Sequence, residues 1–198
     1  KTIMATYGPR SVLWSERPGP FSDMSKALMR GLGSPNYCTH DDACAHNVNQ
    51  ASYSLTGHGR GKWIYDFKNC RHIVVQGRNF LESLKVGELN QVLDALDKGC
   101  RLTCVDVRPT VTGLKAQQNL CIRPGTDLAL NLAVLYVLIE EKLYDAAYVE
   151  RYVQGFEALA DFVRPYSPQW AESQCDIPAD VIAELARSLA AAAPQVIW

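Results

Sequence analysis

The segment GSPNYCTHDDACAH, residues 33–46, brings two thiols and two imidazoles close together in the chain. Cys44 lies where a loop closed by Gly, Ser and Pro passes into the first turn of a predicted helix. A thiol there faces unpaired N–H groups and the positive end of the helix dipole, which favours the thiolate that binds metals or attacks electrophiles. Cys38, His40, Cys44 and His46 follow a C-x-H-x3-C-x-H spacing, which is not a usual zinc pattern. Zinc binding and an inert, buried cysteine are the alternatives to a reactive Cys44.

Three other loops carry residues that suit a nucleotide, and each follows a predicted buried strand. They are Gly77-Arg78-Asn79-Phe80, Asp106-Val107-Arg108-Pro109-Thr110 and Arg123-Pro124-Gly125-Thr126-Asp127. At the carboxyl ends of parallel strands a glycine lets backbone approach a phosphate, an acidic residue accepts from ribose hydroxyls, and an arginine holds phosphate or stacks on a base. A GxGxxG fingerprint is absent from the sequence, so an ordinary nicotinamide dinucleotide site is not expected.

Asp127 adds a base-reading group to this set. A carboxylate beside Gly125 can pair with the N1–H and the exocyclic amine of guanine, which are two adjacent donors. The plainer alternatives are that Thr126 or Asp127 caps a helix, and that Asp106 and Arg108 form a pair that stabilises a turn. Taken together, the three loops predict a groove for a guanine nucleotide without a Walker lysine.

The elements that would position these loops have clear patterns. Residues 72–76 (HIVVQ) and 102–105 are apolar runs of strand length, and residues 86–97 between them have the apolar spacing of a helix. This order predicts a βαβ unit with parallel strands. A further strand at 119–122 and a helix at 127–142 follow.

The flanking segments complete the predicted architecture. We expect a strand at 11–15, a helix at 23–32 capped by Ser22, and a helix at 43–56 ended by Gly57. Helices at 146–153, 157–163 and 178–192, with breaks at Pro165, Ser167 and Pro168, precede the start of a strand at 195–198.

The fold class is α/β, a parallel-sheet dinucleotide-binding-like domain with flanking helices and a small C-terminal helical group. Predicted divisions are 1–62 for the metal-ligand loop, 63–145 for guanine dinucleotide binding, and 146–198 for the helical group.

Composition narrows the function classes. The 198 residues are 47% hydrophobic with a formal net charge of -1, so no nucleic-acid or membrane-surface patch is expected, and the partners should be small molecules or proteins. Seven cysteines, an odd number, do not resemble a disulfide framework. Cys100, Cys104 and Cys121 are expected in the core. Because the chain begins at Lys1 and ends in an apolar run, we expect it to be a segment of a longer protein.

Four ordered motifs carry a family resemblance: GSPN with the following cysteine, GRNFLES, VDVRPT, and IRPGTD followed by ALNLAVLYVLIEEKLYDAAYVERY. In this order, and over nearly all of the chain, they resemble catalytic subunits of molybdopterin oxidoreductases of the dimethyl sulfoxide reductase family. The resemblance implies a bis(molybdopterin guanine dinucleotide) cofactor carrying molybdenum or tungsten, with Cys44 as the metal ligand. The implied cofactor-binding residues are Gly77, Asn79, Asp106, Arg108, Gly125 and Asp127. Val107 departs from the family's usual proline at that position.

Within the family, GSPNYCTH and GRNFLESLKV are most similar to polysulfide and thiosulfate reductases and sulfite dehydrogenases. This similarity implies oxygen- or sulfur-atom transfer on a small inorganic sulfur compound, with His40 and His46 as proton donors. It also implies an iron-sulfur cluster in the parent chain outside this segment, an iron-sulfur electron-transfer subunit and a membrane-anchor subunit, on either face of the membrane. The rival hypotheses are a non-redox molybdopterin or tungstopterin hydratase and a metal-free nucleotide-binding assembly module with an inert Cys44.

Overall fold

The computed structural model describes residues 2–17, 19–40, 44–83 and 86–197. Asp41, Asp42 and Ala43, which include the predicted start of the 43–56 helix, lie outside the described residues. The chain forms two compact units, Lys1–Ile64 and Tyr65–Trp198. Within the described part, no helix is both long and apolar enough to cross a bilayer.

The first unit contains a small parallel sheet of β1 (Trp14–Glu16) and β2 (Tyr37–Thr39). Its helices are α1 (Thr2–Tyr7), α2 (Ser22–Gly31) and α3 (His46–Thr56), with 3-10 turns at Pro9–Ser11 and Arg60–Lys62. Glu16 joins the two strands because its carboxylate accepts hydrogen bonds from the Tyr37 hydroxyl at 2.6 Å and from Trp14 Nε1 at 2.9 Å. The predicted strand at 11–15 is thus displaced: it spans Trp14–Glu16, and Ser11 belongs to a 3-10 turn.

The cap predicted at Ser22 is wrong. Ser22 is the first residue of α2, Phe21 occupies the N-cap, and the Ser22 hydroxyl accepts from the Gly19 N–H at 2.8 Å in the preceding turn. The end of α3 agrees with the prediction, because Gly57 takes the left-handed conformation there with φ 72°.

The second unit is built on a four-stranded parallel sheet in the order β5-β4-β3-β6. The strands are β3 (His72–Gln76), β4 (Arg101–Asp106), β5 (Gln118–Cys121) and β6 (Gln195–Ile197). Its longer helices are α5 (Val86–Asp97), α7 (Asp127–Glu140), α9 (Phe156–Val163), α10 (Pro168–Cys175) and α11 (Ala179–Ala191); α4 (Phe80–Ser83), α6 (Val111–Lys115) and α8 (Ala146–Tyr152) are shorter. The α/β fold class and the parallel pairing predicted from the sequence are confirmed.

Both faces of this sheet are covered, which explains why its central strands are almost continuously apolar. Ile73 and Val75 of β3 pack on one face in a cluster with Val92 of α5. Val74 points to the other face, into a cluster with Leu130 of α7 and with side chains of α10 and α11. The C-terminal helices therefore share the core of the sheet, and α11 leads into β6, which pairs with β3.

Two sequence predictions in this unit need correction. The break predicted at Ser167 and Pro168 is the start of α10, where the Ser167 hydroxyl accepts from the Trp170 N–H at 3.3 Å and Pro168 occupies the first turn. Cys121 is exposed, whereas Cys100 and Cys104 are buried as predicted. All seven cysteines are free thiols.

Candidate functional site

The carboxyl ends of β3, β4 and β5 meet at one edge of the sheet, because the three strands are parallel neighbours in the order β5-β4-β3. Each is followed by one of the loops selected from the sequence. Gly77 and Gly125 have φ of 63° and 80°, in the left-handed region that side chains rarely adopt. At both positions the space that a Cβ would occupy is open. The edge therefore presents bare backbone at two places, which suits close approach of a ligand.

Asn79 ties the loop after β3 to the start of α6. Its Oδ1 accepts a hydrogen bond from the Thr112 hydroxyl at 2.9 Å, and its Nδ2 donates to the Glu82 carboxylate. The Thr112 hydroxyl in turn accepts from the Leu81 N–H at 3.2 Å, and Thr112 is fully buried. The Asn79 side chain is thus engaged within the protein, so any role in cofactor binding falls to the loop shape that it maintains.

Arg108 and Asp106 lie in the loop after β4 but do not form an ion pair with each other among the described residues. The Asp106 carboxylate accepts from the Val107 N–H at 2.7 Å and so fixes its own turn. The Arg108 guanidinium donates to the Pro109 carbonyl at 3.1 Å and lies 3.9 Å from the Glu82 carboxylate. Because the Arg108 side chain is 64% exposed, its charge faces solvent at the edge of the sheet.

The loop after β5 is anchored on both sides of Gly125. The Arg123 guanidinium makes two hydrogen bonds to Asp176, at 3.1 and 2.6 Å, just beyond the end of α10. The Thr126 hydroxyl donates to the Arg123 carbonyl at 2.6 Å, and Thr126 occupies the N-cap of α7 without a side-chain cap bond. Thr126 therefore occupies the N-cap position, as the alternative prediction stated, but its hydroxyl makes no capping hydrogen bond to the helix.

Asp127 is the first residue of α7, and the structure brings it to the end of β3. Its Oδ1 accepts a hydrogen bond from Gln76 Nε2 at 3.0 Å. A carboxylate in the first turn of a helix also interacts favourably with the helix dipole. The sequence analysis did not predict Gln76, Thr112 or Glu82 as site residues. Gln76 has the clearest sequence signal of the three, because it is the polar residue at the carboxyl end of the predicted strand HIVVQ.

Cys44 belongs to the first unit and is exposed, two residues before the start of α3. His46 is the first residue of α3 and is exposed, as is His40 after β2. Cys38 lies within β2 and is half-buried. Within the described ranges, no group of three or more His, Cys, Asp or Glu side chains is arranged to hold a metal ion. A metal at Cys44 would therefore take at most two ligands from the described residues and the rest from another source.

A family model described as molybdopterin oxidoreductase matches residues 3–194. The chain belongs to the molybdopterin oxidoreductase family. It is 40% identical over 98% of its length to the thiosulfate reductase molybdopterin-containing subunit PhsA of Salmonella typhimurium, and covers 25% of that protein. It is 33% identical to the acetylene hydratase of Syntrophotalea acetylenica, with 84% of this chain and 23% of the relative aligned.

A solved structure agrees with the same family. The acetylene hydratase from Pelobacter acetylenicus superposes on the whole chain with a TM-score of 0.82 at 29% identity, and the match covers 27% of that protein. The chain of this molybdopterin oxidoreductase thus spans about a quarter of the length of the relatives it matches. Family membership implies a molybdopterin cofactor with molybdenum or tungsten.

The residues of this chain fit such a cofactor. The edge of the sheet offers two open left-handed glycines for a phosphate-bearing ligand, at Gly77 and Gly125. Asp127 supplies a carboxylate beside them, and Arg108 an exposed cation. In the first unit Cys44 is an exposed thiol that could serve as a metal ligand, since thiolate sulfur suits soft, redox-active metals.

Proposed function

We propose that this chain is the metal-ligand and guanine-dinucleotide-binding region of a bis(molybdopterin guanine dinucleotide) oxidoreductase that acts on an inorganic sulfur compound. The observation that carries the proposal is the 40% identity to a thiosulfate reductase subunit over 98% of the chain. The three anchored loops at one edge of a parallel sheet support it, because ligands of open α/β sheets bind at that edge.

In this proposal, each residue at the edge binds a different part of the guanine dinucleotide. Gly77 and Gly125 let backbone N–H groups approach the pyrophosphate. Asp127 pairs with the N1–H and exocyclic amine of guanine. Asp106 accepts from ribose hydroxyls, and Arg108 offsets phosphate charge. Asn79 keeps the loop after β3 in the shape that these contacts need.

In the first unit Cys44 is the proposed protein ligand to the metal. The bound cofactor supplies two-electron oxygen- or sulfur-atom transfer, while the protein orients it and controls access. The Cys44 thiolate would hold the metal and would contribute negative charge to it. His40 and His46, both exposed, hold and deliver the protons that accompany reduction of a sulfur oxyanion.

The relatives suggest the wider assembly. The names of the thiosulfate reductase subunit and of an arsenate respiratory reductase subunit from Shewanella describe them as molybdopterin-containing subunits of their enzymes. We propose that the complete protein is such a subunit and that it carries an iron-sulfur cluster outside this segment. It would pass electrons to an iron-sulfur subunit and a membrane-anchor subunit.

The test of the proposal is a Cys44→Ser variant of the complete protein, purified with its partners. We expect thiosulfate-dependent oxidation of a reduced viologen dye to be abolished or strongly lowered, while much of the guanine dinucleotide stays bound. Cys121→Ser is the matched control, because Cys121 is also an exposed free thiol but ends β5 in the other unit. Full activity of the Cys44 variant would remove Cys44 as the metal ligand.

A non-redox hydratase is the second candidate, favoured by the match of the whole chain to the acetylene hydratase structure with a TM-score of 0.82. The two candidates differ in their need for electrons. A hydratase converts acetylene to acetaldehyde without net electron transfer, whereas a thiosulfate reductase requires a reduced dye and consumes it in proportion to product. Assaying both reactions on one preparation, with metal analysis, also tests the metal-free assembly module.

A further inference from the structure

Gln76 and Asp127 meet although they are distant in the chain and in the sheet. Gln76 is the last residue of β3, Asp127 begins α7, and strand β4 lies between β3 and β5, the strand that leads into α7. Their hydrogen bond, Nε2 to Oδ1 at 3.0 Å, therefore joins two of the three loops at the proposed nucleotide edge. Within the residues that the structure describes, this hydrogen bond sets the direction of the Asp127 carboxylate.

The chemistry of the two side chains fixes the direction of this bond. A carboxylate only accepts hydrogen bonds, so the amide nitrogen of Gln76 must face Asp127 and the amide oxygen must point away. An ionised carboxylate has room for about four hydrogen bonds, and Gln76 uses one of them. The second oxygen, Oδ2, has no hydrogen-bond partner within the residues that the structure describes, which leaves a fixed acceptor pair for a ligand with two adjacent donors.

Packing alone does not hold Gln76 in place. Its side chain is half-buried and lines a cavity of about 630 Å³, together with Asn131, Val134 and Leu138 on α7. Since this side of Gln76 borders open space, the bond to Asp127 selects its orientation. The neighbouring walls are largely apolar, so a leucine at position 76 can pack against them without loss of the fold.

We propose that Gln76 is a positioning residue that makes the Asp127 carboxylate selective for guanine over a purine without an exocyclic amine. This inference rests on the proposed role of Asp127. Gln76 holds the carboxylate plane so that both oxygens meet the N1–H and the amine of guanine together. Without that bond the carboxylate can rotate, and it then engages one donor at a time, which any purine with an N1–H provides.

The test compares GMP with IMP, which lacks the exocyclic amine. Both are titrated by calorimetry into the complete protein, purified without cofactor from a host that cannot synthesise it. For the wild type we expect GMP to bind more tightly by about 10-fold or more, as one charge-assisted hydrogen bond provides. In Gln76→Leu the ratio should fall to about 3-fold or less, with weaker GMP binding and nearly unchanged IMP binding.

Gln91→Leu is the matched control, because Gln91 is an exposed glutamine on α5 whose amide, among the described residues, donates to the Gly87 carbonyl of the same helix. It should keep the wild-type ratio. Gln76→Glu gives a second variant of the same shape, in which a carboxylate faces Asp127, and we expect it to lose the preference as well.

The outcomes separate this inference from the proposed function. A wild type that shows no preference for GMP would count against guanine recognition by Asp127 itself. A wild-type preference that persists in both Gln76 variants would overturn the positioning role while leaving the guanine site intact. An equal loss of GMP and IMP binding, with the ratio preserved, would also overturn it, since Gln76 would then support the loop rather than the base selectivity.

Discussion

Replacing Thr112 with valine should weaken the link between the loop after β3 and the start of α6. The Thr112 hydroxyl is fully buried, donates to Asn79 Oδ1 at 2.9 Å and accepts from the Leu81 N–H at 3.2 Å. Valine has nearly the same shape, so packing is kept while two polar partners lose their hydrogen bond. A buried group left without a partner costs about 1–3 kcal/mol.

The structure narrows this range. Asn79 and Leu81 are only half-buried, so both can be reached by water, and Asn79 Oδ1 keeps a long bond from the Thr112 N–H at 3.4 Å. We therefore expect a loss of about 1–2 kcal/mol in the free energy of unfolding. For a chain of 198 residues, this loss corresponds to a fall of about 2–8 °C in Tm.

A double-mutant cycle in urea tests the reasoning. Asn79→Ala should cost less in the Thr112→Val background than in the wild type, by about 1 kcal/mol, because the bond between the two is already lost. Asn90→Ala, at an exposed position on α5, serves as the control and should add independently. If the costs at Asn79 and Thr112 add within about 0.5 kcal/mol, the two side chains do not form a coupled network.

Two other predictions concern cofactor loading and pH. Asp127→Ala should reduce the GMP released from the complete protein by acid hydrolysis, and unchanged GMP content would contradict the guanine role. Burial lowers the pKa of His72 below its ordinary value of 6.5, and His72 bonds to the Thr103 hydroxyl at 2.9 Å. The unfolded chain then binds a proton more readily, so this contribution to stability is complete above about pH 6.5 and is lost as the pH falls below it. The urea concentration at the unfolding midpoint should fall as the pH is lowered from about 7.5 to about 5, and it should fall less steeply in His72→Gln. Equal dependence of the midpoint on pH in the two proteins would refute the role assigned to His72.

Where a segment has one strong pattern, the sequence was sufficient to predict it. The run His72–Gln76 and the helix Val86–Asp97 have the predicted bounds, because a strand buried on both faces is continuously apolar and an amphipathic helix repeats at 3.6 residues.

The helix α10, which the sequence analysis missed, shows that proline does not always end a helix. Pro168 lies in the first turn, where a missing N–H costs nothing, so it starts the helix that it was expected to prevent.

The error at Cys121 has a different origin. One face of β5, the strand at one end of the sheet, is covered: Leu120 packs in the core cluster with Leu130 of α7, whereas Asn119 and Cys121 are exposed. A short apolar run does not reveal whether one or both faces of its strand are covered. The helices that pack on each face of the sheet decide this, and their packing depends on contacts between distant segments.

The candidate site divides in the same way. Parallel strands have their carboxyl ends at a common edge, so the meeting of the three loops followed from the βαβ pattern. The hydrogen bonds that anchor the loops could not be predicted from that pattern. Gln76 and Asp127 are 51 residues apart, and Asn79 and Thr112 are 33 apart. No local periodicity relates such pairs, and they become visible only when the strands are in register.

The Gln76–Asp127 and Asn79–Thr112 hydrogen bonds fix the loop after β3 to two neighbouring segments. Gln76 binds the start of α7 and Asn79 binds the start of α6, so the loop is held at both ends, while Gly77 between them keeps a left-handed backbone without a side chain. A loop fixed in this way loses little conformational entropy when its N–H groups bind a ligand. The same side chains therefore account for the stability of the edge and for its suitability as a phosphate and base site. This is the physical reason why we propose dinucleotide binding at this edge rather than at the opposite one, where the buried His72 begins β3.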